Sequence, residues 1–144
     1  MVGRTNITGR TSTTGPIAAK RSKAPSAPYS PAFAANGFVF VSGQRPVDPV
    51  SGVIPQGIRA QTRQAINNVA AVLEAAGLTL GDVVKVTAHL ADLAMFDEFN
   101  IAYRECFQPP YPARTTVGSQ LRGILVEVDA IAASRPDKRQ DDSG

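Results

Sequence analysis

Arg114 and Glu127 are the residues whose chemistry and setting demand the most explanation. Arg114 stands in "PPYPARTTVG" (109–118), where three prolines precede a single guanidinium and β-branched residues follow it. Prolines in the lead-in fix φ, so little freedom is lost when the arginine is put to use. Such a guanidinium can grip a substrate carboxylate with two parallel hydrogen bonds, or it can pair with a carboxylate of the protein. Glu127 and Asp129 lie two apart in "ILVEVDAIAA" (124–133), so on a strand they share one face with Leu125 and Ile131. A carboxylate in such a strand is costly unless it is paired or hydrogen-bonded. Each acid is therefore an edge or ion-pair residue, or a cleft carboxylate acting on a water or a proton. If the two segments form a hairpin, Arg114 and Glu127 meet near one end of the sheet.

Other chemistries are poorly served. The chain has one histidine, His89, and one cysteine, Cys106, which cannot make a Cys/His zinc site. No metal site is expected. "SGQRP" lacks the lysine and spacing of a phosphate loop. His89 sits mid-strand without a nucleophile elbow and reads as a half-buried strand histidine. Cys106 falls on the inward stripe of a helix and reads as a buried thiol. A lone cysteine excludes an intrachain disulfide and makes a reducing, cytoplasmic setting the expectation.

The elements that must position these residues can be read in order. "GFVFVSG" (37–43) is a short buried strand, and "RPVDPVSGVIPQG" (45–57) is a loop with room for a small hairpin. In "IRAQTRQAINNVAAVLEAAG" (58–77), Ile58, Thr62, Ala65, Ile66, Val69, Val72, Leu73 and Ala76 form one apolar stripe, and Gly77 supplies a helix stop. "DVVKVTAHLAD" (82–92) alternates, with Val84, Val86, Ala88 and Leu90 on one side. Asp92 can cap a second helix running through Phe107, with Met95 or Phe96, Phe99, Tyr103 and Cys106 facing inward. "ARTTVGSQ" (113–120) and "GILVEVDAIAA" (123–133) follow as strands.

This order predicts an α+β two-layer sandwich, with a mixed sheet of about six strands and two helices on one face. The strands are apolar on both sides, Phe38 and Phe40 against Val39 and Val41. The uncovered face then predicts packing against another copy of the chain.

The net charge of +3 is a poor guide to the body of the chain. Residues 1–27 carry +5 with no acid, residues 28–134 carry −2, and residues 135–144 balance. The expected organisation is a disordered basic tail over 1–27, one domain over 28–134 and a polar tail over 135–144. An organelle-targeting role is the alternative reading of the basic tail. A mildly acidic body argues against nucleic acid as partner, and no apolar run approaches the roughly 20 residues of a membrane helix.

The motifs "APYSPAF", "VFVSGQRPVDPVSG", "QTRQAINNVAAVLEAAGLTLGDVVKVTAHLADL", "FDEFNIAYRECF", "PARTTV" and "VEVDAIA" occur in order. On these the chain resembles the RidA family, also called YjgF/YER057c/UK114 and, under an older label, endoribonuclease L-PSP or translation inhibitor. The resemblance runs from about Ala24 to Ala133. It implies a chorismate-mutase-like fold, a homotrimer with clefts between subunits, and no cofactor. It also implies hydrolysis of reactive enamines and imines, such as 2-aminoacrylate, to 2-keto acids and ammonia. A keto-acid-binding or regulatory trimer and an endoribonuclease are the alternatives within the same family. The resemblance further places a carboxylate-binding role on Arg114 and a water-positioning role on Glu127. Cleft-lining roles fall on Tyr29, Ser42, Asn100 and Tyr103. Thr116 stands where many members carry cysteine, and the "GSQLRGIL" turn is shorter than theirs, so both bear on substrate preference.

Overall fold

The computed structural model describes residues 3–5, 11–18 and 25–134. Its main sheet contains β3 (Gly15–Ile17), β4 (Ala32–Ala35), β5 (Phe38–Gln44), β6 (Val83–Leu90), β7 (Ala113–Gly118) and β8 (Val126–Ala133), in the order β3-β4-β5-β8-β6-β7. A separate ribbon pairs β1 (Gly3–Thr5) with β2 (Thr11–Thr13). The expected six-stranded mixed sheet is present, with β6 and β7 parallel and the other pairings antiparallel. The helices are α1 (Ile58–Ala75) and α2 (Phe96–Cys106).

Strand alternation builds the core. Val39 and Val41 of β5, Val86, Ala88 and Leu90 of β6, and Val126, Val128, Ala130 and Ala132 of β8 are buried beneath the helices. Against them α1 presents Thr62, Ala65, Ile66, Val69, Val72 and Leu73, the stripe read from its spacing. Gly77, at φ 75°, ends that helix as expected. Buried Gln61 ties α1 to its surroundings: its amide donates to Pro55 O at 3.0 Å, and its Oε1 accepts from Leu125 N at 2.8 Å. The helices lie side by side, bridged by Arg59–Glu98 and Arg63–Glu105. Both pairs are exposed, so each contributes at most about 1 kcal/mol.

Four expectations need correction. Of the tail expected to be disordered, Gly15–Ile17 form an edge strand paired with β4, and Gly3–Thr5 pair with Thr11–Thr13; residues 1–2, 6–10, 19–24 and 135–144 lie outside the described residues. In β6 the irregularity between Val83 and Lys85 buries Val83 and leaves Val84 exposed, reversing the expected side of Val84. The 45–57 loop makes a turn at Asp48–Val53, in which Asp48 Oδ1 accepts from the Val50 and Ser51 amides, and contains no strand ladder. Finally, β7 and β8 are not a hairpin. β6 lies between them, because α2 carries the chain from β6 to a parallel neighbour.

The face opposite the helices is open in the single chain. Phe33, Phe38 and Phe40 are 45%, 42% and 44% exposed there. Among the described residues no helix is long and apolar enough to cross a membrane.

Candidate active site

Arg114 enters β7 directly after the Pro109–Pro112 segment and is in register with Val86. Partners across a parallel pair point to the same side, so Arg114 faces the helix layer, since Val86 is buried there. Its guanidinium lies in an aromatic slot made by α2, with Cζ 4.7 Å from the Tyr103 ring centre, 5.2 Å from Phe99 and 5.7 Å from Phe96. Tyr103 in turn stacks on Phe107 at 4.6 Å. Cation–π contacts of this kind hold the fork in place at about 0.5–1 kcal/mol each and consume none of its hydrogen-bond donors. Among the described residues no protein carboxylate pairs with Arg114. The ion-pair reading of Arg114 with Glu127 is therefore overturned.

Arg114 opens onto a cavity of about 220 Å³ lined by Asn100, Tyr103, Arg104, Tyr111 and Arg114. Tyr103 and Asn100 were expected here; Arg104 and Tyr111 were not. The buried Tyr103 hydroxyl has no hydrogen-bond partner among the described residues. Burial raises its pKa, and the nearby Arg114 charge pulls it the other way. Cavity and slot together offer two guanidinium groups, two phenols and an amide, donors chemically suited to a small anion. Thr116, in register with Ala88, shares the helix side of β7 but does not line this cavity.

The remaining expected residues gather elsewhere. Glu127 on β8 is the partner of His89 on β6, on the open face of the sheet. Its side chain lies against Gly43. A Cβ at that glycine would sit 3.0 Å from Glu127 Cδ and 3.0 Å from Oε2. The β5–β8 register shifts between Val41 and Gln44, so Ser42 and Gly43 bulge towards the carboxylate. Ser42 Oγ donates to Ser30 O at 2.5 Å, and Ser42 N donates to Pro31 O. Those bonds hold the segment that carries Tyr29, whose side chain is 57% exposed. Gly43 and Glu127 thus form a second cluster, with Ser42 next to it and tied to the segment that follows Tyr29.

On the same face His89 Nδ1 lies 3.0 Å from Ser119 Oγ, and its Nε2 lies 3.4 Å from Asp129 Oδ2. Asp129 takes the paired, structural reading. Cys106 is half-buried, and burial raises its thiol pKa. Among the described residues no group of His, Cys, Asp and Glu could hold a metal.

The two clusters cannot form one site within a chain. Arg114 points to the helix side of β7, Glu127 points to the open side of β8, and β6 lies between.

The chain and its fold are similar to known proteins. The model of the Endoribonuclease L-PSP family matches residues 20–134. The chain belongs to this family. A RutC family protein of Pyrococcus horikoshii is 47% identical over 111 residues, 75% of this chain and 88% of that protein. A protein of Bos taurus named 2-iminobutanoate/2-iminopropanoate deaminase is 40% identical over 119 residues, 79% of this chain and 87% of the other. The crystal structure of RidA from an Antarctic Psychrobacter superposes with a TM-score of 0.76 at 34% identity, covering 81% of this chain and 97% of its own. The YjgF gene product of Escherichia coli gives 0.76 at 36% identity, covering 83% and 98%. The resemblance to the RidA/YjgF family thus holds, and the sheet and helices have its chorismate-mutase-like fold.

Proposed function

We propose that the protein hydrolyses reactive 2-imino acids, and the enamines that tautomerise to them, giving 2-oxo acids and ammonia. The observation that carries this reading is Arg114. Its fork is fixed by three rings, lines a small cavity and meets no protein carboxylate among the described residues. Substrate supplies the missing anion: the 1-carboxylate accepts two hydrogen bonds from Arg114, and that fixes the adjacent C=N carbon. Relatives named 2-iminobutanoate/2-iminopropanoate deaminase support the same reaction class.

Water is then added to the imine carbon. Glu127 orients the water and takes its proton as the C–O bond forms and the C=N π pair moves to nitrogen. The proton is relayed to nitrogen to give the carbinolamine; its hydroxyl proton then passes to the amine as the C–N bond breaks, so that ammonia leaves as the carbonyl forms. An enamine first takes a proton at its β carbon.

Since Arg114 and Glu127 face opposite sides of one sheet, the complete site takes Arg114 from one copy and Glu127 from its neighbour. The exposed Phe33, Phe38 and Phe40 supply an apolar face for that assembly. The assembly proposed is a homotrimer with three sites between subunits.

The test is the appearance of 2-oxobutanoate from an imine generated by an amino-acid oxidase, with and without the protein. Acceleration is expected. An unchanged rate, with 2-oxobutanoate still bound, would instead favour a binding or regulatory protein.

A further inference from the structure

The cavity at Arg114 holds more positive charge than one substrate carboxylate requires. Arg104 lines it together with Arg114, and no acid of the same chain lines it. Arg104 lies in the last turn of α2, one turn beyond Asn100, so both reach the same side of the helix. The acids of α2 that could neutralise it are engaged elsewhere or point away. Glu98 is bound to Arg59 and Glu105 to Arg63, whereas Asp97 lies in the first turn and does not line the cavity. Among the described residues Arg104 has no ion pair and no side-chain hydrogen bond. A monocarboxylate held by Arg114 leaves Arg104 without a partner, because the neighbour's Glu127 is committed to the water at the imine carbon. The phenol of Tyr111 adds a further donor on the exposed rim.

We infer that this site prefers 2-imino acids that carry a second carboxylate, with Arg114 holding the 1-carboxylate and Arg104 the side-chain carboxylate. The inference rests on the deaminase reading and names its substrate class. Arg104 is a specificity residue, touching substrate away from the reacting carbon. Its guanidinium is solvent-facing, so the preference weakens as salt is raised.

The experiment compares kcat/KM for the imine of glutamate with that for the imine of 2-aminobutyrate, in the wild type and Arg104→Gln. The wild type is expected to favour the diacid. Arg104→Gln is expected to lose about 5-fold on the diacid and less than about 2-fold on the monoacid, the scale of one exposed charge-assisted contact. Thermal unfolding of Arg104→Gln checks that the fold is intact. Equal losses on both imines, or a wild-type preference for the monoacid, overturn the inference. If the wild type hydrolyses neither imine, the deaminase reading fails and calorimetry decides this one separately. Tighter binding of 2-oxoglutarate than 2-oxobutanoate, lost in Arg104→Gln, keeps it. Equal binding of the two overturns it.

Discussion

Two inactive variants should restore each other if the site is divided between copies. Arg114→Ala removes two charge-assisted hydrogen bonds to substrate, each worth about 1.5–3 kcal/mol, and so costs at least about 100-fold in kcat/KM. Glu127→Gln removes the group that orients and deprotonates water, a loss of about 10²–10⁴-fold. In a cyclic assembly of randomly mixed chains, a site is intact when its Arg114 comes from a Glu127→Gln chain and its Glu127 from an Arg114→Ala chain. For equal mixing that holds for about one site in four, so activity returns to about a quarter of wild type. If one chain supplied both groups, every site would keep one defect and nothing would return. A second mixture sharpens the contrast. Wild type mixed equally with the double variant gives about a quarter of wild-type activity for a divided site and about a half for an undivided one. The chains are co-refolded from denaturant, and oxo acid release is followed with a dehydrogenase-coupled absorbance assay. Failure of the first mixture together with a half in the second would refute the argument from opposite sheet faces.

Two further outcomes follow from the geometry. In Gly43→Ala the new Cβ meets the Glu127 carboxylate at 3.0 Å; the side chain shifts by a few tenths of an ångström, and activity falls by roughly 10-fold with thermal stability nearly unchanged. An unaltered rate would show that Glu127 need not rest on this glycine. Burial raises the Tyr103 pKa above 10.0 in the folded protein, so the unfolded chain loses that proton first. Stability then falls as pH rises from 10.0 towards the folded pKa. The thermal midpoint of the wild type should drop more steeply there than that of Tyr103→Phe, and parallel curves would count against the burial effect.

The physical reasons for what could and could not be read in the chain differ by element. The α1 stripe was legible because helical spacing repeats over 18 residues and Gly77 marks its end. Strand β4 was not read, because Ala32–Ala35 contain no β-branched residue and the strand exists through its pairing with β5. Its signal was the Asn36–Gly37 turn, with φ 52° and 80°, the pattern that closes a tight hairpin. β3 is three residues long in a Gly- and Thr-rich stretch, and pairing with β4 supplies what local preference does not. Arg114 stood out through its proline lead-in, and Glu127 through the cost of a carboxylate among apolar neighbours. Their relation did not, because adjacency in sequence suggests a hairpin and says nothing of a strand inserted from earlier in the chain. Arg104 was hidden for another reason: on a short amphipathic helix, an arginine beside a cavity and one in open solvent have the same spacing.

The account rests most heavily on Arg114 as a substrate clamp rather than a structural cation. The direct measurement is kcat/KM for 2-oxo acid release from freshly generated 2-aminoacrylate, in the wild type and in Arg114→Ala with its unfolding curve recorded alongside. The account predicts a loss of at least about 100-fold, with the protein still folded and destabilised only by the loss of the three ring contacts, about 0.5–1 kcal/mol each. Equal kcat/KM for the two proteins would contradict it.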